Sequence, residues 1–517
     1  MNRNTVFKSV VLGGGSAGWL TALHVNKLHP NWDITVIEDP KRPPIIAGES
    51  GTTTFVSFLK ALGIDNEDFV RQTNATPKLG GKLKNWNGVG TEFYHALVTD
   101  HAPWFENFIH TVDELPNIEF TLGGSMKDLL IHREKDLYET ACLANDIPLA
   151  KAFYSYYFMQ QNKVPLGANS SIPIAPMWHF ESRAAAKYFK DIALSRGIKL
   201  IEDEYKSVVQ SVNGDITTIL FDQGRSIDGD LFFDCSGFAR LLLDKVLHEP
   251  IIDYTNFFPA RAVVAWWDDP HPCVTTNANA MEYGWSWNIN LRHRSGNGYI
   301  YDPDHISLEQ AVAEAEKFYG YKITPIANFS FTPGMMRNSW KNNVIGVGLS
   351  NGFLEPLEAN GIQVIIESLW AFEDLFRVDK KDDVVRKQRF NDRVFALTDD
   401  VLDFLALHYR GHRRDTDFWK SHAYDKCRTP DTLTAKLDQW QQYFDGDLEA
   451  KSRAGGYSST AWLQVIQGLS IFDTEKLKKQ YSFLEQPVKQ TLQENSNKYI
   501  QLVSRFPSVE EWLKTHK

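Results

Sequence analysis

The chain has 517 residues, of which 43% are hydrophobic and 23% charged, and its formal net charge is −10. This length exceeds that of a usual single domain, and the composition is typical of a globular protein, so two modules are expected. The acidic balance and the absence of a basic block argue against nucleic acid as a partner. No uninterrupted apolar run reaches about 18 residues, so we expect no membrane-spanning helix and no membrane partner.

The four cysteines are far apart in the sequence and form no C-x-x-C pair. Reduced, buried thiols in a cytoplasmic protein are the simplest interpretation, and we expect no metal site. The apolar run near the N-terminus belongs to the pattern described next, so we do not interpret it as a signal peptide.

The first forty residues combine a strand, a helix and a second strand with a glycine-rich turn. The three elements are predicted over Ser9–Leu12, Ser16–Leu28 and Asp33–Ile37. Gly13 makes the tight turn of G-x-G-x-x-G, Gly15 lets the backbone approach a pyrophosphate, and Gly18 lets the helix pack against the strand. The helix N-terminus offers free N–H groups to phosphates, and Glu38 follows about 20 residues after the last glycine, where ribose hydroxyls are bound. The pattern predicts a dinucleotide site, for FAD or NAD.

Two later segments are expected to return to this site. Ile45–Phe55 reads as a loop of small and hydroxyl residues, with Glu49 as a candidate contact. Asp230–Gly237 reads as a buried strand that ends in a small-residue turn, which adds Asp234 as a candidate.

The middle of the chain predicts a second sheet. Alternating or apolar runs indicate largely antiparallel strands over Ile251–Trp267, Glu282–Asn290, Gly298–Tyr301 and Asn328–Phe331. A further buried strand, Asn343–Gly348, leads to a long apolar helix that opens near Asn360. From about residue 396 the pattern is helical, so we predict a core over residues 1–395 and a helical module over 396–517.

Five motifs spread along the chain resemble the flavin-dependent tryptophan halogenase family. They are GGGSAGW in the glycine turn, PKLG around Lys78, GWSWNIN at Gly284–Asn290, FLEPLEANGI at Phe353–Ile362 and LHYRGHRRDTDFW at Leu407–Trp419. The third looks like the family's W-x-W-x-I-P motif, which related flavin monooxygenases lack.

The resemblance implies an α/β (α+β) fold: an FAD-binding Rossmann-like domain of the flavin monooxygenase type, a second antiparallel sheet and a C-terminal helical substrate module. It implies that a separate flavin reductase supplies FADH2, and that O2 and chloride or bromide then yield hypohalous acid at the flavin. The oxidant passes to a second pocket that holds an electron-rich aromatic substrate. The FAD contacts expected in this chain are Gly13, Gly15, Ser16, Ala17, Gly18, Glu38, Glu49, Val208, Asp234, Leu349 and Ile362.

Lys78 and Glu358 are the candidate catalytic residues. Lys78 would hold the halogen, either as an ammonium bonded to hypohalous acid or as an amine that forms a haloamine, and burial would lower its pKa. Glu358 would stabilise the positively charged ring and help to remove its proton, although a carboxylate at a helix N-terminus is common without any such role. The nearby Lys82 and Lys84 are interpreted as solvated surface residues.

Two further pairs are expected to serve the flavin. Asn360 and Gly361 open the long helix, so their backbone amides and the helix dipole would seat the halide. Trp285 and Trp287 point to one face of a strand and, by the resemblance, separate flavin from substrate. Ordinary core packing is the alternative for both tryptophans.

Departures from the family pattern bear on the substrate. Ala359 and Asn360 replace a serine and a threonine, and Gly455–Gly468 contains a single tyrosine where the tryptophan enzymes carry a pair that grips the amino acid. Indole or another electron-rich aromatic is therefore a better expected substrate than free tryptophan. Candidate pocket residues are Phe93, His95 and Trp462.

Two alternatives remain open from the sequence. One is an FAD-dependent hydroxylase or epoxidase on the same scaffold. The other is a flavin-binding protein without turnover, or a carrier-protein partner, which the change at Ala359 keeps under consideration because function depends on the site rather than the fold. Homo-oligomers are common enough that one is expected here.

Overall fold

The computed structural model describes residues 6–42, 48–97, 139, 142–166, 174, 177–380, 382–442 and 457–516. Within these ranges the chain forms two large sheets, three small sheets and helices that are concentrated towards the C-terminus. The Glu49 backbone lies in a strand, whereas its side chain is outside the described part of the chain.

The first large sheet carries the glycine turn. Its six strands lie in the order Trp340–Lys341, Val344–Gly346, Leu231–Asp234, Lys8–Leu12, Asp33–Glu38 and Lys199–Glu202. The strand Lys8–Leu12 is parallel to both of its neighbours. The four residues that follow its first are buried, as expected for a parallel strand covered on both faces. The predicted Rossmann-like unit is confirmed, including the helix Ser16–Leu28.

The second large sheet has seven strands. Their order is Ala327–Ser330, Ala262–Asp268, Ser295–Tyr301, Gly284–Asn290, Thr275–Met281, Gly80–Lys84 and Glu92–Ala96. Every neighbouring pair is antiparallel except the one between Thr275–Met281 and Gly80–Lys84. The predicted strand Ile251–Trp267 is in fact two strands, because a turn and Pro259, which has no backbone N–H, interrupt it.

Lys78 lies in a small sheet. The three small sheets are Ser226–Asp228 with Ile216–Phe221 and Tyr205–Gln210, Ile251–Asp253 with Gly334–Met336 and Gly352–Phe353, and Gly48–Ser50 with Met177–Glu181 and Thr76–Lys78. The segment Ile45–Phe55, predicted as a loop, therefore contains a strand, and a helix begins at Thr53. Pairing with Met177–Glu181 explains that strand.

The helices are Ser16–Leu28, Thr53–Ala61, Asn66–Gln72, Tyr154–Gln161, Ser182–Ser195, Leu308–Tyr319, Asn360–Leu375, Val384–His408, Asp417–Tyr424, Asp431–Gln442, Ser459–Gly468, Glu475–Tyr481, Glu485–Val503 and Val509–Thr515. The predicted boundary at residues 395 and 396 falls inside Val384–His408, and the division into two modules stays a prediction. Of the helices in the described ranges, none combines the length and apolar character that a membrane crossing requires. One cluster of buried side chains runs from Val11 to Trp512.

Candidate active site

The three glycines of the turn meet different surroundings. A Cβ atom on Gly13, whose φ is +126°, would lie 2.2 Å from the Cys235 carbonyl oxygen, and one on Gly18 would lie 1.8 Å from the Gly13 carbonyl oxygen. A Cβ atom on Gly15 would meet nothing within 4 Å. Packing therefore demands glycine at the first and third positions, and the second leaves open space at the start of a helix.

A cavity of about 1170 Å³ begins at this turn and extends to Lys78 and Glu358. Its lining includes most of the predicted site residues: Gly13, Gly15, Ser16, Ala17, Glu38, Lys78, His95, Trp285, Trp287, Leu349, Glu358, Asn360, Gly361 and Ile362. Glu38 also accepts a hydrogen bond from Lys190 Nζ at 2.6 Å, which holds its carboxylate beside the turn. One continuous space thus joins the nucleotide end to the lysine end.

Three predicted cofactor contacts lie outside the cavity lining: Gly18, which packs against Gly13, and also Val208 and Asp234. Val208 packs against a separate cluster of buried apolar side chains, and its neighbour Tyr205 lines the cavity instead. Asp234 is fully buried, and it accepts hydrogen bonds from Ser236 and from the backbone amides of Leu242 and Leu243. Asp234 therefore stabilises the turn after its strand, and it does not reach the cavity.

Two predicted pocket residues also lie outside the cavity lining. Phe93 packs against Gly468, where an added Cβ atom would be 2.3 Å from the phenylalanine ring. Trp462 is fully buried between Phe404 and Trp440, with ring centroids 5.0 Å and 5.1 Å away. Neither side chain lines the cavity, and His95 alone of the three candidates reaches it.

Lys78 is held inside the cavity by its small sheet. It pairs with Met177 in the antiparallel ladder, and it is only 6% exposed. Burial lowers the pKa of Lys78 to about 8, and the nearby Glu358 carboxylate acts in the opposite direction. A lysine with this pKa contributes both ammonium and amine forms near neutral pH.

Glu358 is fixed between two histidines. His95 Nδ1 lies 2.9 Å from Glu358 Oε2, and His408 Nε2 lies 3.2 Å from Oε1. Glu358 and Ala359 have φ of 61° and 57°, so two successive residues adopt the left-handed conformation directly before the helix Asn360–Leu375. This turn directs the carboxylate towards both rings.

The two histidines determine the protonation of Glu358. His408 Nδ1 donates to the Phe404 carbonyl at 2.9 Å, and its other nitrogen faces the carboxylate. A carbonyl oxygen can only accept a hydrogen bond, so the Nδ1 atom of His408 carries a hydrogen. Burial would raise the pKa of Glu358, but the charges and hydrogen bonds of His95 and His408 outweigh it and hold that pKa well below its usual range.

Asn360 serves its own loop. Its Nδ2 donates to the carbonyl oxygens of Glu355 at 2.8 Å and Leu357 at 2.7 Å. The side-chain amide is therefore occupied within the loop. Gly361, in contrast, has no atom within 4 Å of the position of a Cβ atom, which leaves the first turn of a 16-residue helix open.

The two tryptophans form one wall of the cavity. Their ring centroids are 6.2 Å apart, and Trp287 lies over Gly298, where an added Cβ atom would be 2.0 Å from the indole. Trp285 Nε1 donates to Glu355 Oε2 at 3.2 Å, and Tyr409 Oη donates to the same oxygen at 2.7 Å. Burial raises the pKa of Glu355 to about 7, although both hydrogen bonds act to lower it.

No sequence pattern pointed to Glu355, His408 or Tyr409 individually. All three lie within motifs that carried the family resemblance, so their position in the sequence was a signal. Their contacts could not be predicted from the sequence, because His408 and Glu358 are 50 residues apart in the chain.

The sequence pattern of the tryptophan halogenase family matches residues 8–482. The chain belongs to the tryptophan halogenase family. Tryptophan 6-halogenase ThaL of Streptomyces albogriseolus is 30% identical over 454 residues, which cover 85% of this chain and 82% of that protein. The 7-chloro-L-tryptophan 6-halogenase KtzR of Kutzneria sp. (strain 744) is 31% identical over 457 residues, which cover 84% of each protein.

Solved structures agree with this membership. A flavin-dependent halogenase from Xanthomonas campestris has a TM-score of 0.80 at 25% identity and covers 99% of this chain and 98% of its own. One from Brevundimonas sp. BAL3 has a TM-score of 0.78 at 25% identity and covers 99% of both chains. The predicted α/β FAD-binding fold and the prediction of a flavin-dependent halogenase are confirmed, and the hydroxylase or epoxidase alternative is not favoured. Flavin, O2, halide and a separate flavin reductase are general requirements of this class of enzyme.

Proposed function

We propose that this protein uses FADH2 from a flavin reductase, O2 and chloride or bromide to halogenate a small, neutral, electron-rich aromatic compound. Indole is the representative substrate. The observation that carries the proposal is the continuous cavity between the glycine turn and the buried Lys78. An oxidant produced at one end can reach the other end along this cavity.

The residues at the glycine end fit FAD. Gly15 leaves room for a pyrophosphate at a helix N-terminus, and Glu38 lies beside the turn at the position of a ribose partner. When bound, the reduced flavin supplies the electrons with which O2 and halide yield hypohalous acid. The open first turn at Gly361 offers backbone N–H groups to the halide.

Lys78 directs the halogen at the other end. Its pKa of about 8 allows either an ammonium that hydrogen-bonds hypohalous acid or an amine that forms a haloamine, and both routes place the halogen at Nζ. The ionised Glu358 stabilises the positive charge that develops on the ring. Trp285 and Trp287 keep the ring away from the flavin.

A neutral substrate fits the composition of this end. Apart from Lys78 and Glu358, the described lining residues that neighbour His95 and Tyr457 are uncharged: Leu97, Thr398, Val401, Ser458 and Ala461. These residues offer no second cation for a carboxylate and no second anion for an ammonium group. The ionic grip on free tryptophan is therefore missing from the described lining.

Two further expectations accompany the proposal. All four cysteines are free thiols, which suits a reducing cytoplasm where a nicotinamide-dependent reductase can supply the flavin. A homo-oligomer stays a prediction.

The test supplies FAD, a reductase, NADH, O2 and chloride or bromide, and screens indoles, phenols and free tryptophan by mass spectrometry. We expect halogenated indole and little halogenated tryptophan. A gain of one oxygen would instead favour a hydroxylase, and no product would favour a flavin-binding protein without turnover; either result contradicts the proposal.

Lys78→Ala should reduce halogenation at least about 10³-fold, because no group would then direct the halogen, while FAD binding measured by fluorescence is retained. Lys82→Ala is the matched control, since Lys82 lies in the next strand, pairs with Glu92 at 2.9 Å and does not line the cavity. The control should halogenate at the wild-type rate. Normal halogenation by the Lys78 variant would show that the lysine has another role.

A further inference from the structure

We propose that His95 is the general base that removes the ring proton after halogen transfer, and that Glu358 and His408 are positioning residues for it. This inference rests on the halogenase function proposed above. It changes the role of Glu358 from proton acceptor to orienting group.

The geometry is that of a carboxylate–imidazole pair. Glu358 Oε2 lies 2.9 Å from His95 Nδ1, so the ionised carboxylate accepts the Nδ1 hydrogen and leaves Nε2 as the basic nitrogen. The His95 side chain lines the cavity and is 14% exposed, and among the described residues Nε2 has no hydrogen-bond partner. His95 therefore reaches the same cavity that Lys78 lines.

The other titratable groups nearby are less suited to accept a proton. Both oxygens of Glu358 accept hydrogen bonds from histidine, and its pKa is held well below the usual range. His408 is fully buried and has a partner at each nitrogen. His179 is also fully buried, and its Nε2 is bonded to Thr276 Oγ1 at 2.7 Å.

The step balances as follows. The halogen leaves the oxygen of hypohalous acid and forms a bond with a ring carbon, while the Lys78 ammonium protonates the departing oxygen to give water. The ring is then a cation that carries both halogen and hydrogen on one carbon. His95 Nε2 takes that hydrogen as a proton, and the electron pair of the C–H bond restores the aromatic ring. Solvent returns the proton from His95 to Lys78.

Glu358 has a defined effect in this step. The imidazolium formed at His95 is stabilised by the adjacent carboxylate, in the way an aspartate supports the histidine of a hydrolase triad. His408 Nε2 lies 3.2 Å from the other carboxylate oxygen and so holds Glu358 in place beside His95. The two histidines therefore differ in role although both contact Glu358.

The experiment compares kcat for indole and ring-deuterated indole in the wild type and in His95→Gln. Glutamine can still donate to Glu358 but cannot take a proton. We expect the rate to fall about 10²-fold, the lower end of the range for a general base, and the isotope effect to rise from near 1 to at least about 2. Imidazole added to His95→Ala should restore part of the rate, which a purely structural role would not allow.

Controls separate this inference from the function on which it rests. His412→Gln alters an exposed histidine outside the cavity lining and should leave the rate and the isotope effect unchanged. Hypohalous acid trapped by a 1,3-diketone without indole should form equally in the wild type and in His95→Gln. A wild type that gives no halogenated indole overturns both proposals. If the wild type and His95→Gln both halogenate indole, with equal rates and equal isotope effects, only the assignment of His95 is overturned.

Discussion

Glu355 and Glu358 are three residues apart, yet their surroundings shift their pKa values in opposite directions. Glu355 is buried with Trp285 and Tyr409, neutral donors that do not compensate for lost hydration, and its pKa rises to about 7. Burial acts to raise the pKa of Glu358 as well, but the charges and hydrogen bonds of His95 and His408 hold that pKa well below its usual range. Two carboxylates of one loop thereby have separate contacts: Glu355 anchors the tryptophan wall, and Glu358 holds the two histidines.

Glu355→Gln tests the first assignment. The pKa of Glu355 is raised on folding, so the stability it contributes is fully present below about pH 4.5 and is lost as the pH rises through about 7. Up to about 3 kcal/mol of the unfolding free energy should disappear over this range in the wild type. Glutamine keeps an acceptor for Trp285 and Tyr409 but cannot ionise, so the variant should gain stability relative to the wild type as pH increases. Urea unfolding at pH 5, 6, 7 and 8 measures the difference, and parallel curves would contradict the assignment.

The glycine turn and its helix Ser16–Leu28 form the element at which we propose that the cofactor binds. Gly18 brings the helix against the turn, with no room for a Cβ atom, whereas the space at Gly15 is open in the protein itself. A side chain at Gly15 would meet the bound pyrophosphate, and one at Gly18 would meet the protein. We therefore expect folding and FAD binding to depend on different glycines of this motif.

Gly15→Ala and Gly18→Ala form a matched pair. Gly15 has a φ of −81°, which alanine adopts readily, so the unfolding free energy of Gly15→Ala should stay within about 0.5 kcal/mol of the wild type. Its FAD affinity should fall at least roughly tenfold, because the added methyl group would meet the pyrophosphate. The second should lose about 1–3 kcal/mol or more through overpacking. Urea unfolding without FAD and flavin fluorescence titration measure the two effects. Equal stability of the two variants would show that the helix does not pack as described.

At the scale of the whole molecule, one core supports both ends of the cavity. The helix Val384–His408 contributes Thr398 and Val401 to the cavity, and its last residue contacts Glu358. Buried side chains from Val11 to Trp512 belong to the same cluster. The helical C-terminal part therefore lines the Lys78 end of the cavity and packs in one core with the part that contains the glycine turn.

We expect this molecule to unfold in one cooperative transition. Helix content measured by circular dichroism and tryptophan fluorescence should give the same urea midpoint, because the helix that crosses residues 395 and 396 ties the two parts together. FAD should shift both midpoints equally. Two separated transitions, only one of which responds to FAD, would instead support two independently stable modules.

Local patterns were sufficient for much of this protein. The helix Ser16–Leu28 was predicted with its correct bounds, because glycine chemistry and apolar periodicity act over a few neighbouring residues. Lys78, Glu358 and the two tryptophans were recognised from short motifs, and all four line the cavity. The split of Ile251–Trp267 into two strands was missed, since its apolar pattern continues across the turn.

By itself, the sequence determined the glycine turn, the family and several residues that face the cavity in four of the five motifs. Only the tertiary structure decided which distant groups meet: His95 with Glu358 across 263 residues, and Glu355 with Tyr409 across 54. It also decided that Phe93 and Trp462 do not line the cavity. The physical reason is that protonation and burial depend on distances between elements, and neither periodicity nor spacing along the chain contains those distances.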